Sequence, residues 1–161
     1  MRVVALFSLG GGLLINLAKS ALNVHERTLF HQLWDNLKPG DVVLADTGFC
    51  SFADFYYLLQ RGVDSVMRNH QCRKKGLVEI KRLDKGDRLV NWIKNKACPR
   101  WLSKEEWSGV PDTLTVREIT VTVDVPGFRT TSLIIVTTLL DHEAYPKEAI
   151  VDLYRKRWEV E

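Results

Sequence analysis

Between Pro39-Gly40 and Gly48 lies a four-residue apolar run, Val42-Val43-Leu44-Ala45, that ends on Asp46. A run this short, rich in β-branched residues and bounded by turn formers, predicts a buried strand rather than a helix. Buried strands of this kind belong to α/β sheets, which place their sites at the carboxyl ends of the strands. The stretch therefore predicts Asp46 at the mouth of a sheet. Aspartate is also a common turn residue, so a purely local role in capping the turn is the competing expectation.

The flanking residues extend the pattern. Leu29, Phe30, Leu33, Trp34 and Leu37 recur at helical spacing, Asn23 and Glu26 stand as a variant capping box in front of them, and Lys38-Pro39-Gly40 ends the helix. Ser51 and Asp54 have capping-box spacing and open a helix over 52–60; Gly62 closes it, and 64–67 reads as a further short strand. Helix, strand, helix and strand in succession predict an α/β sheet with a parallel crossover. Upstream, 2–8 and 13–18 read as two strands joined by Gly10-Gly11-Gly12, and that glycine run interrupts what would otherwise resemble a secretory leader. Downstream, 114–124 alternates apolar and polar residues, Pro126-Gly127 turns the chain, and 131–140 is a second strand-like run, too short to cross a membrane. Pro146 suits the first turn of a last helix that runs to the end of the chain.

A chain of 161 residues, 45% hydrophobic and 27% charged, is the size of one soluble domain with a sizeable core. Its three cysteines, Cys50, Cys72 and Cys98, are odd in number and form no Cys-x-x-Cys pair, which favours a reducing, cytoplasmic setting over a disulfide framework. His70 and Cys72 have no second pair at metal-ligand spacing. The net charge is only +3, but twelve basic residues fall between Arg68 and Lys104 against three acidic ones. Arg73, Lys74 and Lys75 are the densest part of that segment, and Trp92 and Trp101 are interleaved with it. Cations meet phosphates and indoles stack on unpaired bases, so the segment predicts nucleic-acid binding. The alternative is a solvated surface with two structural tryptophans.

In the last helix Tyr154, Arg157 and Glu161 stand at i, i+3 and i+7, along one face that Ile150 and Leu153 continue as an apolar stripe. A glutamate and an arginine on such a face need partners or a metal; read alone, a snorkelling arginine and a surface carboxylate explain them as well.

Tyr154-x-x-Arg157-x-x-x-Glu161 resembles the signature of the insertion-sequence-four type of bacterial transposases: Tyr, two residues, Arg, three residues, Glu, six residues, Lys. The stretch from Gly40 to Phe49 resembles the region of that family's second catalytic aspartate, and Val136 to Asp141 is also similar to family members. The resemblance implies an α/β fold with a ribonuclease-H-like core. It divides the chain into a first part of the core (1–69), a basic β-rich insertion (70–140) and the C-terminal catalytic helix (141–161). It implies DNA transposition, with an Asp, Asp and Glu set holding two divalent ions, Mg2+ or Mn2+. Asp46 carries over as the second Asp and Glu161 as the Glu. Tyr154 and Arg157 carry over as DNA contacts, and Arg73, Lys74, Lys75, Trp92 and Trp101 would grip the transposon end. DNA is the implied partner, with a homodimer in the assembly and no membrane.

The family's first aspartate lies on a strand that would precede Arg2, and its lysine would follow Glu161. Asp35 and Asp41 are the only aspartates before Asp46, and neither has the spacing to replace the first. The expectation is a piece of a transposase whose sheet lacks a central strand between 2–8 and 42–45, and which is inactive alone. A non-catalytic DNA-binding module and a different ribonuclease-H-like nuclease are the alternatives.

Overall fold

A computed structural model describes residues 1–69, 77–123 and 131–159. Strands β1 (Arg2–Ser8) and β2 (Leu13–Ser20) form an antiparallel hairpin, as the glycine run between them predicts. Helix α1 (Glu26–Leu33) follows, then a 3-10 turn over Trp34–Asn36. Strand β3 (Val42–Ala45) leads through a second 3-10 turn (Thr47–Phe49) to α2 (Phe52–Gln60) and β4 (Asp64–Arg68). Strands β5 (Leu77–Asp84) and β6 (Asp87–Ile93) precede the short α3 (Lys104–Gly109). Strands β7 (Thr113–Val123) and β8 (Thr131–Thr137) precede α4 (Lys147–Arg155), which tightens into a 3-10 turn over Lys156–Glu159.

Six strands form one sheet in the order β3-β4-β8-β7-β6-β5. Among the described residues only β3 and β4 are parallel, joined by the α2 crossover that the alternating pattern predicts; the other pairs are antiparallel. The class is mixed α/β, and β5 to β8 extend the sheet begun by β3 and β4 rather than building one of their own.

Alternation along the strands sorts the core into two layers. Val43, Ala45 and Met67 face α2 with Phe52, Phe55 and Leu58. Leu44 and Val66 face the other way, toward Ile150 and Tyr154 of α4. Helix α1 lies across the seam: Phe30 and Trp34 join the α2 layer, whereas Leu29 and Leu33 pack on Ala18 of the hairpin.

Three local expectations are corrected. Helix α1 starts at Glu26 with His25 at its cap and no side-chain cap bond; Asn23 stands two residues too early to reach the first free amides. Pro146 takes the cap position of α4, one residue ahead of its first turn, with extended backbone. The last helix does not continue as α-helix past Arg155. The Ser51 cap forms as expected, its hydroxyl accepting from the Asp54 amide. At the end of α2, Gly62 has φ +71°, and a Cβ there would meet Pro39 Cβ at 3.2 Å. Only glycine fits that close, left-handed approach, which lets the Gly40 amide donate to the Gly62 carbonyl at 2.8 Å.

Among the described residues the hairpin and the larger sheet share no strand pairing. Among the described residues β1 pairs only with β2, and β3 only with β4. Residues of β1 and β3 together line a cleft of about 730 Å³, with Phe30, Leu33, Leu37, Leu153 and Arg157 also lining it.

Candidate active site at the sheet mouth

Asp46 stands at the carboxyl end of β3, where the chain leaves the sheet. It also caps the following turn: its Oδ1 accepts from the Thr47 amide at 2.8 Å and from the Thr47 hydroxyl at 3.3 Å. Asp46 thus caps the turn with one carboxylate oxygen while standing at the end of the strand, and its other oxygen is the one nearer Arg157. Its side chain is 48% exposed.

The parallel register pairs Ala45 with Met67, so Asp46 and Arg68 follow as neighbours at the ends of adjacent strands. Alternation puts both on the α4 face, beyond Leu44 and Val66. From α4, Tyr154 is buried against that face, and Arg157 brings its guanidinium to 3.9 Å from Asp46 Oδ2. Residues i and i+3 eclipse in 3-10 geometry, and the tightening after Arg155 lays Arg157 over the Tyr154 ring, 5.4 Å from its centre. Burial pushes the Tyr154 hydroxyl above the ordinary tyrosine value; Arg157 opposes the shift, Asp46 adds to it and Arg68 opposes it weakly. Tyr154 is thus a neutral phenol through the physiological range, set between one carboxylate and two cations.

Arg68 is the member of this cluster that the sequence reading left among the general basic residues. The sequence showed only that Arg68 follows the short strand-like run 64–67; its place beside Asp46 comes from the parallel register of β3 and β4.

Among the other expected site residues, Trp92 is corrected. It is 1% exposed, packed on Phe55 at 5.2 Å, and its indole N–H donates to Glu118 Oε1 at 3.3 Å. Its ring is buried in the core. The ring of Trp101 lies on His31, Trp34 and Tyr57, with centroids 4.3, 5.9 and 5.3 Å away, and is 37% exposed at its free edge. Basic residues of the same segment are partly structural too. Arg88 bridges Glu79 and Glu118 at 2.9 Å each, and Lys94 donates to the carbonyls of Trp107 and Val110. Arg73, Lys74, Lys75, His70, Cys72 and Glu161 lie outside the described residues.

A two-metal site needs several hard oxygen ligands converging. Among the described residues no group of three or more His, Cys, Asp or Glu side chains converges in this way. Asp41 is turned back to the Lys38 amide, and Asp35 is 89% exposed beside Arg61. The described residues therefore supply one carboxylate at the sheet mouth and do not by themselves make a metal site.

The arrangement is a half-exposed carboxylate with Arg157 and Arg68 near it at the open end of a parallel strand pair. Comparison with known proteins places the chain. It belongs to the transposase DDE domain family, which it matches over residues 1–161. It is 28% identical over 165 residues to the transposase InsG of insertion sequence element IS4 from Escherichia coli strain K12, across 100% of this chain and 34% of that protein. The chain thus spans about a third of the length of that relative. No helix among the described residues is long and apolar enough to cross a membrane.

Proposed function

We propose that this chain is part of the catalytic domain of a DNA transposase with a ribonuclease-H-like sheet, in which Asp46 is one of the carboxylates that hold Mg2+ or Mn2+. The observation that supports this reading most is the meeting of Asp46 with Arg157 and Tyr154. Two separate stretches resembling the family, 111 positions apart from Asp46 to Arg157 in the sequence, come together at one sheet end. Glu161 is the proposed second carboxylate, four residues beyond Arg157. The division at 69–70 and 140–141, a homodimer and the grip of Arg73, Lys74 and Lys75 on DNA belong to the same proposal. Arg68 and Arg157 bind phosphate oxygens beside Asp46, as forked cations do.

The cleft between β1 and β3 supports a further element of the reading. Two strands without a further partner that line one cleft with apolar side chains are the setting of one more strand. The chain as given is accordingly inactive in strand cleavage; magnesium-dependent nicking of a matched transposon end by it overturns that part.

Mn2+ titrated into isotope-labelled protein tests the role of Asp46. The expected result is paramagnetic broadening centred on Thr47 and Gly48 that is lost in Asp46→Asn. Broadening elsewhere but not there removes Asp46 from the metal set. DNA affinity that is steep in salt yet indifferent to Mg2+ favours a DNA-binding module without catalysis.

A further inference from the structure

A second arrangement of charge lies on the opposite side of the sheet from α4. Asp54, in the first turn of α2, is completely buried, and a buried carboxylate must be paired and hydrogen-bonded. The Ser51 hydroxyl donates to its Oδ2 at 2.7 Å. His31 Nε2 lies 2.7 Å from Oδ1, and Arg27 Nε lies 3.2 Å from Oδ2. A helix cap needs only the Ser51 part of this set. The other two partners come from α1, one turn apart on the face that meets α2.

Arg27 Nε meets Asp54 as an ion pair and not as a hydrogen bond; another nitrogen of the same guanidinium does hydrogen-bond. Its NH2 group donates to the Gly48 carbonyl at 3.0 Å, inside the turn that follows Asp46. Phe30, on the same side of α1, stacks on Phe49 of that turn with centroids 5.0 Å apart. The turn is rigidly coupled to Asp46. The Phe49 amide donates to the Asp46 carbonyl at 3.0 Å, and the Thr47 amide holds Asp46 Oδ1.

We propose that Asp54 and Arg27 form a positioning clamp that fixes the Thr47–Phe49 turn and, through it, the direction in which Asp46 presents its carboxylate. Asp54 orients the guanidinium, the guanidinium holds Gly48, and the turn carries Asp46 with it. Hydrogen bonding of the Asp54 carboxylate is already served by Ser51 and His31; the reach of Arg27 onward to Gly48 is what ties the buried carboxylate to the sheet mouth. The functional weight of the clamp rests on the reading of Asp46 given above, but its existence does not. It is measured without metal or DNA, so failure of the clamp and failure of that reading are separate results.

The test is amide hydrogen exchange on the whole chain, wild type against Arg27→Gln, Asp54→Asn and Arg27→Lys. Losing a charge-assisted hydrogen bond is expected to speed exchange at Phe49 and Cys50 about tenfold in Arg27→Gln, by local opening, while the amides of β4 keep their wild-type rates. Asp54→Asn is expected to give the same local signature, and Arg27→Lys to recover part of the protection. Unchanged Phe49 exchange in a folded Arg27→Gln protein overturns the proposal. So does equal acceleration across β4, which would make Arg27 a general stabiliser. Should Asp54→Asn fail to fold, Arg27, whose side chain is 41% exposed, decides the matter alone.

Discussion

Asp46 illustrates how one side chain serves two ends. Its Oδ1 is committed to the Thr47 amide, and that commitment aims Oδ2 toward Arg157. Arg68 and Arg157 flank it from a strand and a helix that are distant in sequence. If both meet phosphates, then replacing either with Ala lowers the salt slope of DNA binding by about 0.9. Fluorescence anisotropy of a labelled 20-base-pair duplex over a salt series reads this; an unchanged slope for one variant removes that arginine from the interface. Tyr154 gives a pH signature. Its raised value means the folded protein holds the phenolic proton more tightly than the unfolded chain, which releases it near 10.0. The stabilisation from the buried neutral phenol is therefore complete below that pH and declines as pH rises through the folded value. Tyr57 is raised as well, by burial first and then by Glu106, and adds in the same direction. Denaturant melts at alkaline pH should show Tyr154→Phe losing less stability than wild type between neutral pH and pH above 10.0.

At the scale of elements, strands β6 and β7 are pinned by buried polar groups. Glu118 is 3% exposed and accepts from Trp92, from Arg88 and from Asn69. Arg117 is fully buried, bidentate on Asp87 at 2.8 and 2.6 Å, and its remaining nitrogen donates to the Tyr145 carbonyl at 2.6 Å. That last bond ties β7 to the loop before α4, so the pair also sets where the helix with Tyr154 begins. Removing one partner strands a buried charge: Arg117→Met is expected to cost about 3–5 kcal/mol, and the double change with Asp87→Leu to recover most of it. Urea melts of the single and double variants measure the coupling. Trp92→Ala leaves a large core cavity and is expected to cost about 3–5 kcal/mol. Destabilisation without a change in the salt slope of DNA binding would match its place in the core.

For the whole molecule, the unjoined hairpin dominates. Strands β1 and β3, each without a further strand partner among the described residues, line one cleft, and the hairpin leaves Val3, Phe7, Leu14 and Leu17 between 41% and 50% exposed. Free edges and open apolar surface promote association. Sedimentation velocity is expected to show association that rises with protein concentration, and an extended apolar peptide able to fill the cleft is expected to suppress it. A monodisperse monomer at all concentrations would mean that the edges are already protected.

The local chemistry of this protein was written in its sequence. Apolar runs bounded by glycine and proline marked β3, β4 and α2 within a residue or so, because short-range sterics and burial decide such elements. The Ser51 cap was equally plain, since its partner is three residues away. Asp46 was singled out because an abrupt carboxylate at the end of an apolar strand is a local event. What alternation could not reveal was pairing: that β5 to β8 join the sheet of β3 and β4 depends on backbone hydrogen bonds between distant segments. Nor could composition tell which cations face solvent. The fold buries Trp92 and pairs Arg88, one of the twelve basic residues between Arg68 and Lys104, with two glutamates. Arg68 gained its place beside Asp46 only through the parallel register of two strands, and Arg157 through the packing of α4 on the far side. Sequence periodicity fixed which face each residue takes along its own element; only tertiary structure decided which faces meet, because that choice is made by long-range packing and leaves no local trace.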